Sequence, residues 1–299
     1  MILNSYAKLN LYLEVKNRRK DNFHNIKTLF ERISLADKIV LKSRPDKKIK
    51  IICDDPSVPK GSSNLCYRAA ELLKEKFKIN KGLDIQIIKR IPVGAGLGGG
   101  SSNAASVILG LNKLWRLGLR VKALAGLAGK IGSDVPFFVY DTSFAAACGR
   151  GEKIKPLNNL SKVKLWHILV VPRLNVSTPF IYRKWDECKE EGKGLTTPGY
   201  NVNILILALF GLVAFTGSKK RVLENNFLYN SLESVTANLY SQIKRVREEL
   251  EEVGLKSILM SGSGPAVFGI IPSRKEAVFL SERLKREHRS WRIFVTRTR

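Results

Sequence analysis

The chain has 299 residues, of which 44% are hydrophobic, so it is long enough to bury a core in one large or two medium domains. Its formal net charge of +26 favours anionic ligands, although the basic residues are spread along the chain rather than gathered in one block. No charged segment followed by an apolar stretch opens the sequence, which argues against secretion. Paired metal-site spacing is lacking among the cysteines, so we expect reduced thiols and a cytoplasmic protein; the cysteines are Cys53, Cys66, Cys148 and Cys188.

The first part of the chain predicts strands followed by a helix. Residues 5–15 alternate as a strand, with Lys8 and Asn10 on the polar face. Strand-like residues up to 41, a polar turn and a short strand ending at 52 come next, and a helix is predicted to begin near Asn64. This order is typical of an α+β domain rather than of regularly repeated βαβ units.

The most distinctive segment runs from Pro92 to Ser102 and reads PVGAGLGGGSS. A strand at 83–88 precedes it, and apolar residues at helical spacing follow it, with Ser101 or Ser102 as the predicted N-cap. Glycine lets backbone N–H groups approach a ligand closely, and a helix N-terminus adds the positive end of its dipole. The segment therefore predicts a loop that binds the phosphates of a nucleotide.

Two familiar phosphate-binding motifs fit this segment poorly. A Walker loop needs a lysine near its end, and no lysine lies between Arg90 and Lys113. Gly94, Gly96 and Gly99 satisfy the dinucleotide pattern G-x-G-x-x-G, but a single match this far along the chain is weak. A flexible linker is disfavoured by the strand before the loop and the helix after it.

A carboxylate stands at a sharp break after the next helix. Residues 122–131 predict that helix, and Asp134 follows between Gly132 and Pro136, before an apolar run that we interpret as a strand. Aspartate in a turn commonly caps the backbone, so a structural and a catalytic role for Asp134 both remain open. We place a domain boundary at the polar stretch beyond it and predict domains at 1–155 and 156–299.

The second half predicts a strand at 165–171, helices within 219–252, a helix at 274–286 and a last strand at 292–296. A second glycine turn, from Ser261 to Pro265, leads into a further strand. Residues 195–218 carry no charge, but their continuous apolar part is about twelve residues, short of the roughly 20 that span a bilayer. We interpret this segment as a buried helix.

Three motifs in this order resemble those of the GHMP kinases: Ala7-Lys-Leu-Asn-Leu, the loop from 92 to 102, and Ser261-Gly-Ser-Gly-Pro. Three shorter runs, at 22–24, 132–138 and 149–152, are similar to those of one family among them, the 4-diphosphocytidyl-2-C-methyl-D-erythritol kinases of the non-mevalonate isoprenoid pathway. That family usually has Gly-Tyr where this chain has Asn22-Phe23, and threonine where it has Cys148. The resemblance implies a two-domain α+β fold: an ATP-loop domain like that of a small-subunit ribosomal protein, then an α/β sandwich.

The resemblance also implies roles for particular residues. Lys8 and Asp134 would form the catalytic pair around the 2-hydroxyl of the methylerythritol. His24 would hydrogen-bond the edge of the cytosine with Phe23 beside it, and Tyr182 would stack on the ring; Asn10 and Thr178 complete the implied substrate site. ATP would be bound by Asn64, near the adenine, and by the loop residues Pro92, Val93, Gly94, Ala95, Gly96, Leu97, Gly98, Gly99, Gly100, Ser101 and Ser102. Mg²⁺ would be reached through the nucleotide phosphates with Ser102 nearby; no other metal ligand is indicated.

Two other functions remain open at this point. Another GHMP kinase, acting on mevalonate or homoserine, is disfavoured by the runs at 22–24 and 149–152. A basic nucleic-acid-binding protein would account for the charge of +26, but it would leave the glycine loop without a role. We therefore expect ATP and a cytidylyl small molecule as ligands, neither membrane nor nucleic acid as a partner, and a monomer or homodimer.

Overall fold

A computed structural model describes residues 1–192, 195, 202, 203, 206, 209 and 228–299. The apolar helix predicted within 195–218 lies almost entirely outside these residues, as does the start of the helical region predicted from 219. Within the described ranges, no helix is both long enough and apolar enough to cross a membrane. The four cysteines all lie in these ranges and are free thiols.

The first half holds six strands and four helices among its described residues. They are β1 (Ile2–Arg18), β2 (His24–Arg44), β3 (Ile49–Cys53), α1 (Leu65–Lys76), β4 (Gly82–Ile88), α2 (Gly99–Leu114), α3 (Val121–Ile131), α4 (Val135–Val139), β5 (Phe144–Gly149) and β6 (Lys153–Pro156). The second half adds β7 (Trp166–Val171), α5 (Thr178–Glu190), β8 (Tyr229–Asn230), α6 (Glu233–Leu239), α7 (Ser241–Glu252), β9 (Ile258–Met260), β10 (Val267–Ile271), α8 (Arg274–Glu287) and β11 (Arg292–Arg297).

The first sheet has seven strands and is built around the long antiparallel pair β1 and β2. Its main path runs β3-β4-β2-β1-β8, with β5 pairing β2 and β6 pairing β5. The polar turn between β2 and β3 is present as predicted, but β4 lies between these two strands in the sheet. Helices α1 to α4 cover one face, and alternate residues of the strands, such as Ile39, Leu41 and Ile85, pack against them.

The second sheet is antiparallel, in the order β11-β7-β10-β9. Alternate residues of β7 face two different cores: Leu169 packs toward the first sheet and the glycine loop, while Ile168 packs among helices α5 to α8. The two sheets thus pack on the core between them and form one continuous structure, with helices on the two outer sides.

The predicted boundary between residues 155 and 156 stays a prediction. Pro156 still pairs with Ala145 in the first sheet, and the second sheet begins only at Trp166. The chain also returns twice to the first sheet, where Tyr229 pairs with Tyr12 and Thr298 bridges to Ile33.

Two local predictions are wrong. The run after Asp134 is the short helix α4 rather than a strand, with Pro136 in its first turn, where the missing N–H costs no helical hydrogen bond. Helix α2 begins at Gly99 and not after Ser101 or Ser102, because Gly98 is the N-cap residue, in the left-handed conformation at φ 67°.

Candidate active site

The glycine loop and the start of α2 present unpaired backbone N–H groups. The first intrahelical bond runs from the N–H of Ser102 to the carbonyl of Gly98, at 2.8 Å. The N–H groups of Gly99, Gly100 and Ser101 precede that bond and have no partner within the helix. Together with the helix dipole, they can bind an anionic phosphate.

A cavity of about 300 Å³, here the loop cavity, lies against this segment. It is lined by Asn64 and by every residue from Pro92 to Ser101. The amide of Asn64 is already engaged, because its Oδ1 accepts from the N–H of Cys66 at 2.8 Å and its Nδ2 donates to the carbonyl of Pro59 at 2.6 Å. Asn64 therefore caps α1 and borders the cavity at the same time.

Ser102 is not part of this lining. Its side chain lies on the buried face of α2, where its hydroxyl accepts a hydrogen bond from the hydroxyl of Ser5 at 2.8 Å. Asn103 extends this buried network from Ser5 to the carboxylate of Asp37.

A larger cavity of about 700 Å³, here the acceptor cavity, lies on the other side of the loop. Gly96 and Gly98 line both cavities, so the loop forms the wall between them. The predicted substrate residues all line the acceptor cavity; they are Asn10, Phe23, His24, Thr178 and Tyr182.

Lys8 and Asp134 face each other in the acceptor cavity beside this shared wall. Nζ of Lys8 is 3.7 Å from Oδ2 of Asp134, and a Cβ on Gly98 would stand 3.0 Å from Cγ of Lys8. Asp134 makes no side-chain cap hydrogen bond to α4, although it occupies the N-cap position. Its carboxylate is about one-third exposed, at 32%, and is therefore accessible from the cavity.

Burial lowers the pKa of Lys8, and the nearby carboxylate of Asp134 opposes this shift. Nζ also donates a short hydrogen bond to Oδ1 of Asn10. Asn10 is held in turn, because its Nδ2 donates to Oγ1 of Thr28 at 2.8 Å and Thr28 donates to the carbonyl of Tyr12 at 2.6 Å. The position of the Lys8 ammonium is thus fixed by a chain of hydrogen bonds between buried polar groups.

The second glycine turn closes the site from the other half of the chain. The hydroxyl of Ser261 donates to the carbonyl of Gly96 at 3.2 Å, and the N–H of Asn10 donates to the same hydroxyl at 3.3 Å. The hydroxyl of Ser263 lies 2.7 Å from that of Thr178 at the start of α5. This turn therefore connects the phosphate loop with the helix that carries Tyr182.

His24 also lines the acceptor cavity, and aromatic rings surround it. The ring of Tyr182 stacks on the imidazole at a centroid distance of 5.0 Å, and the ring of Trp185 meets it edge-on at 5.8 Å. Nε2 of His24 is 2.7 Å from Oδ1 of Asp186. Phe23 is exposed, and the guanidinium of Arg150 lies 5.0 Å from the centre of its ring.

The structure thus brings the predicted ATP-binding residues together around the loop cavity, and the predicted catalytic and substrate-binding residues together around the acceptor cavity. Ser102 is the exception, because it lines neither cavity. Ser263, Arg150 and Asp186 also line the acceptor cavity, and the sequence motifs do not predict a role for them. Asp186 carries one sequence signal, since it stands four residues after Tyr182 and so shares its helix face. Among the described residues, the group with metal-site spacing is Glu249, Glu287 and His288, which lines neither cavity.

Comparison with known proteins gives matches in both halves of the chain. The model of the GHMP kinases N terminal domain matches residues 64–142, and that of the GHMP kinases C terminal matches residues 214–290.

Individual relatives cover nearly the whole chain. A 4-diphosphocytidyl-2-C-methyl-D-erythritol kinase of Geobacillus sp. (strain WCH70) is 41% identical over 273 residues, which is 91% of this chain and 88% of that protein. One of Acetivibrio thermocellus is 37% identical over 300 residues, 99% of this chain and 98% of that protein. A crystal structure of 4-(cytidine 5'-diphospho)-2C-methyl-D-erythritol kinase superposes with a TM-score of 0.78 at 35% identity, covering 99% of this chain and 98% of that one.

These matches confirm the predicted two-domain GHMP kinase fold and favour the cytidylyl family over the mevalonate and homoserine kinases. The chain belongs to the 4-diphosphocytidyl-2-C-methyl-D-erythritol kinase family of the GHMP kinases.

Proposed function

We propose that this enzyme transfers the γ-phosphoryl group of ATP to the 2-hydroxyl of 4-diphosphocytidyl-2-C-methyl-D-erythritol, giving the 2-phosphate and ADP. The observation that carries the proposal is the shared wall between the two cavities. Gly96 and Gly98 border both, and Lys8 and Asp134 face each other on the acceptor side of that wall. A nucleotide in the loop cavity and an alcohol in the acceptor cavity would meet there.

Phosphoryl transfer depends mainly on alignment and on stabilisation of negative charge. In the proposed mechanism, the carboxylate of Asp134 accepts or orients the proton of the attacking hydroxyl. Its exposure toward the cavity and its freedom from capping support this role.

The ammonium of Lys8 would stabilise the negative charge that is shared by the phosphoryl oxygens in the transition state. Its burial makes the interaction stronger than it would be in water, because the local dielectric constant is lower. Asn10 and Thr28 would keep the ammonium in position through the hydrogen bonds described above.

The N–H groups at the start of α2 would hold the ATP phosphates, and Asn64 would lie near the adenine. Mg²⁺ is proposed to bind through the phosphates and to neutralise part of their charge. Ser102 fits the role of metal ligand poorly, because its hydroxyl is buried and bonded to Ser5. Among the described residues that line the two cavities, the carboxylates are Asp134 and Asp186, and Asp134, which pairs with Lys8, could approach the ion.

The proposed substrate would extend from this wall to the aromatic residues. Its methylerythritol would lie at Lys8 and Asp134, while its cytosine would stack on Tyr182 with its edge at His24. Both groups of residues line one cavity of about 700 Å³, which supports an acceptor that carries both an alcohol and a base.

A coupled assay of ADP release tests this function against its relatives. The purified enzyme would be given ATP and Mg²⁺ with the cytidylyl substrate, mevalonate or homoserine in parallel reactions. We expect release of ADP only in the reaction that contains the cytidylyl substrate. ³¹P NMR of the product should show the new phosphate on the 2-hydroxyl. Turnover of mevalonate or homoserine at the same rate would contradict the proposal.

A further inference from the structure

The carboxylate of Asp186 determines which hydrogen-bonding pattern His24 presents to a ligand. Oδ1 of Asp186 is 2.7 Å from Nε2 of His24, and an ionised carboxylate can only accept hydrogen bonds. Nε2 must then carry the hydrogen. In the neutral imidazole this leaves Nδ1 as an acceptor.

Three residues of α5 hold the imidazole in this arrangement. Tyr182 stacks on its face, Trp185 packs edge-on, and Asp186 binds Nε2. The second oxygen of Asp186 is 3.9 Å from the guanidinium of Arg18, which gives the carboxylate a second electrostatic partner. His24 is buried but lines the acceptor cavity, and within the described part of the chain Nδ1 has no hydrogen bond.

An acceptor at Nδ1 is selective between pyrimidine bases. Cytosine carries an exocyclic amino group at C4, which donates a hydrogen bond, whereas uracil carries a carbonyl there, which can only accept. A lone pair on Nδ1 therefore suits cytosine and faces the lone pairs of the uracil oxygen unfavourably. The opposite tautomer, with hydrogen on Nδ1, would suit uracil.

We infer that Asp186 is the positioning residue for base specificity: by fixing hydrogen on Nε2 of His24, it makes the enzyme select a cytidylyl over a uridylyl acceptor. The inference rests on the proposed function for the placement of the base at His24. It adds a residue whose effect on base selection passes through the imidazole of His24.

The test compares kcat/KM for the cytidylyl acceptor and for its uridylyl analogue in Asp186→Ala. Without the carboxylate the imidazole is free to place its hydrogen on Nδ1, so we expect the preference for cytosine to fall by about tenfold, the effect of one hydrogen bond. Part of this change should come from faster use of the uridylyl analogue. The KM for ATP should stay unchanged.

The matched control is Glu187→Ala, which removes the same charge from the next residue of α5. Glu187 is 54% exposed and pairs with Lys184 at 2.7 Å, away from His24. This variant should keep the wild-type preference. If Asp186→Ala slows both acceptors equally, Asp186 has a merely structural role and the inference is overturned.

A second measurement needs neither activity nor a variant. The ¹⁵N NMR signals of the His24 imidazole in the wild-type enzyme should identify the neutral tautomer with hydrogen on Nε2; hydrogen on Nδ1 would overturn the inference. If the wild type phosphorylates neither acceptor, the proposed function fails, and this NMR result still decides how Asp186 acts on His24.

Discussion

The backbone N–H of Lys8 donates a hydrogen bond of 3.0 Å to the carbonyl of Leu97. Strand β1 is thereby joined directly to the glycine loop, so the strand that carries the buried ammonium and the loop that would carry the phosphates form one rigid unit. Displacing either one should disturb the other.

The first prediction concerns the fit of the loop against the second glycine turn. Gly96 has φ +74°, and a Cβ there would stand 2.1 Å from the carbonyl oxygen of Ser261. Gly96→Val must therefore push the loop away from the turn, and we expect binding of a nonhydrolysable ATP analogue to fall strongly. Isothermal titration calorimetry measures the effect.

Gly118→Ala is the control for this prediction. Gly118 also has a positive φ, of +65°, but a Cβ there would meet nothing within 4 Å, and Gly118 lines neither cavity. It should lose stability through backbone strain, about 1–2 kcal/mol, while the analogue still binds. Unchanged nucleotide binding in Gly96→Val would mean that this loop does not bind the phosphates.

The charge of Lys8 should depend on Asp134. Burial lowers the pKa of Lys8 from 10.5, and the carboxylate opposes this, so Asp134→Asn should lower that pKa further. A ¹³C NMR titration of the lysine side chains follows it directly. An unchanged or raised pKa in the variant would contradict the electrostatic coupling.

The same shift predicts the alkaline limb of the activity profile. Because the pKa of Lys8 is lowered, its ammonium loses a proton at a lower pH than an ordinary lysine does. If the charged form is required, kcat/KM, which reports the ionisation of the free enzyme, should decline with rising pH below the normal range for lysine. A profile that stays flat through that range would remove the ammonium from the chemical step.

The base site should be separable from the nucleotide site. Tyr182→Ala should weaken binding of the acceptor by about 1–3 kcal/mol, the range for stacking of a base on an aromatic side chain, whereas Tyr182→Phe should cost much less. The KM for ATP should stay nearly constant, because Tyr182 lines the acceptor cavity and not the loop cavity. Equal changes in KM for both substrates would count against a base site at Tyr182.

His24→Ala should also weaken binding of the acceptor and not of ATP, through loss of a hydrogen bond to the base edge. This variant can also lose stability, because removing the imidazole leaves Asp186 without this hydrogen-bond partner and Tyr182 without its stacking neighbour. Thermal unfolding measured beside KM distinguishes the two effects. A lower melting temperature with an unchanged KM for the acceptor would assign His24 to packing alone.

Asp37 supports both ends of the loop from below. It is fully buried and accepts hydrogen bonds from the N–H groups of Arg90 and Ile91, from Asn103 and from the ammonium of Lys89. Asp37→Ala would leave that buried ammonium unpaired, so we expect the free energy of unfolding to fall by about 3–5 kcal/mol. Urea denaturation measures the loss.

The exposed pair of Asp21 with Arg19, at 3.1 Å, gives the control for Asp37. Asp21→Ala should leave the urea midpoint almost unchanged, because solvent screens such pairs. Equal midpoints in the two variants would show that Asp37 does not stabilise the loop.

Lys8 and Asn10 illustrate what the sequence could and could not predict. Alternation placed Lys8 and Asn10 on the polar face of a strand, where solvent is the usual environment. Both are nevertheless buried, because the glycine loop and the second glycine turn pack against the middle of β1. The catalytic role proposed for Lys8 and the substrate-binding role proposed for Asn10 came from the resemblance to the GHMP kinases and not from periodicity. The glycine loop, by contrast, was predictable from local composition, since strand, glycines and helix are contiguous in the chain.

The errors have local physical causes. Five apolar residues after Asp134 fit a buried strand as well as one turn of helix, and periodicity cannot separate them at that length. Serine is the better N-cap by preference, but the left-handed conformation required at the end of the loop selects Gly98 instead. The spacing of Asp186 from Tyr182 places both on one helix face but does not reveal its partner, because its contact with His24 joins two distant parts of the chain.

The most direct test of the whole account is the rate of phosphoryl transfer in a single turnover by Asp134→Asn, with saturating ATP and the cytidylyl acceptor. Since a positioned carboxylate contributes about 10²–10⁴ in rate, we predict a loss of this size with the affinity for ATP nearly unchanged. Lys8→Met should show a comparable loss. Transfer at a near-normal rate in Asp134→Asn would contradict the claim that the pair beside the shared wall performs the reaction.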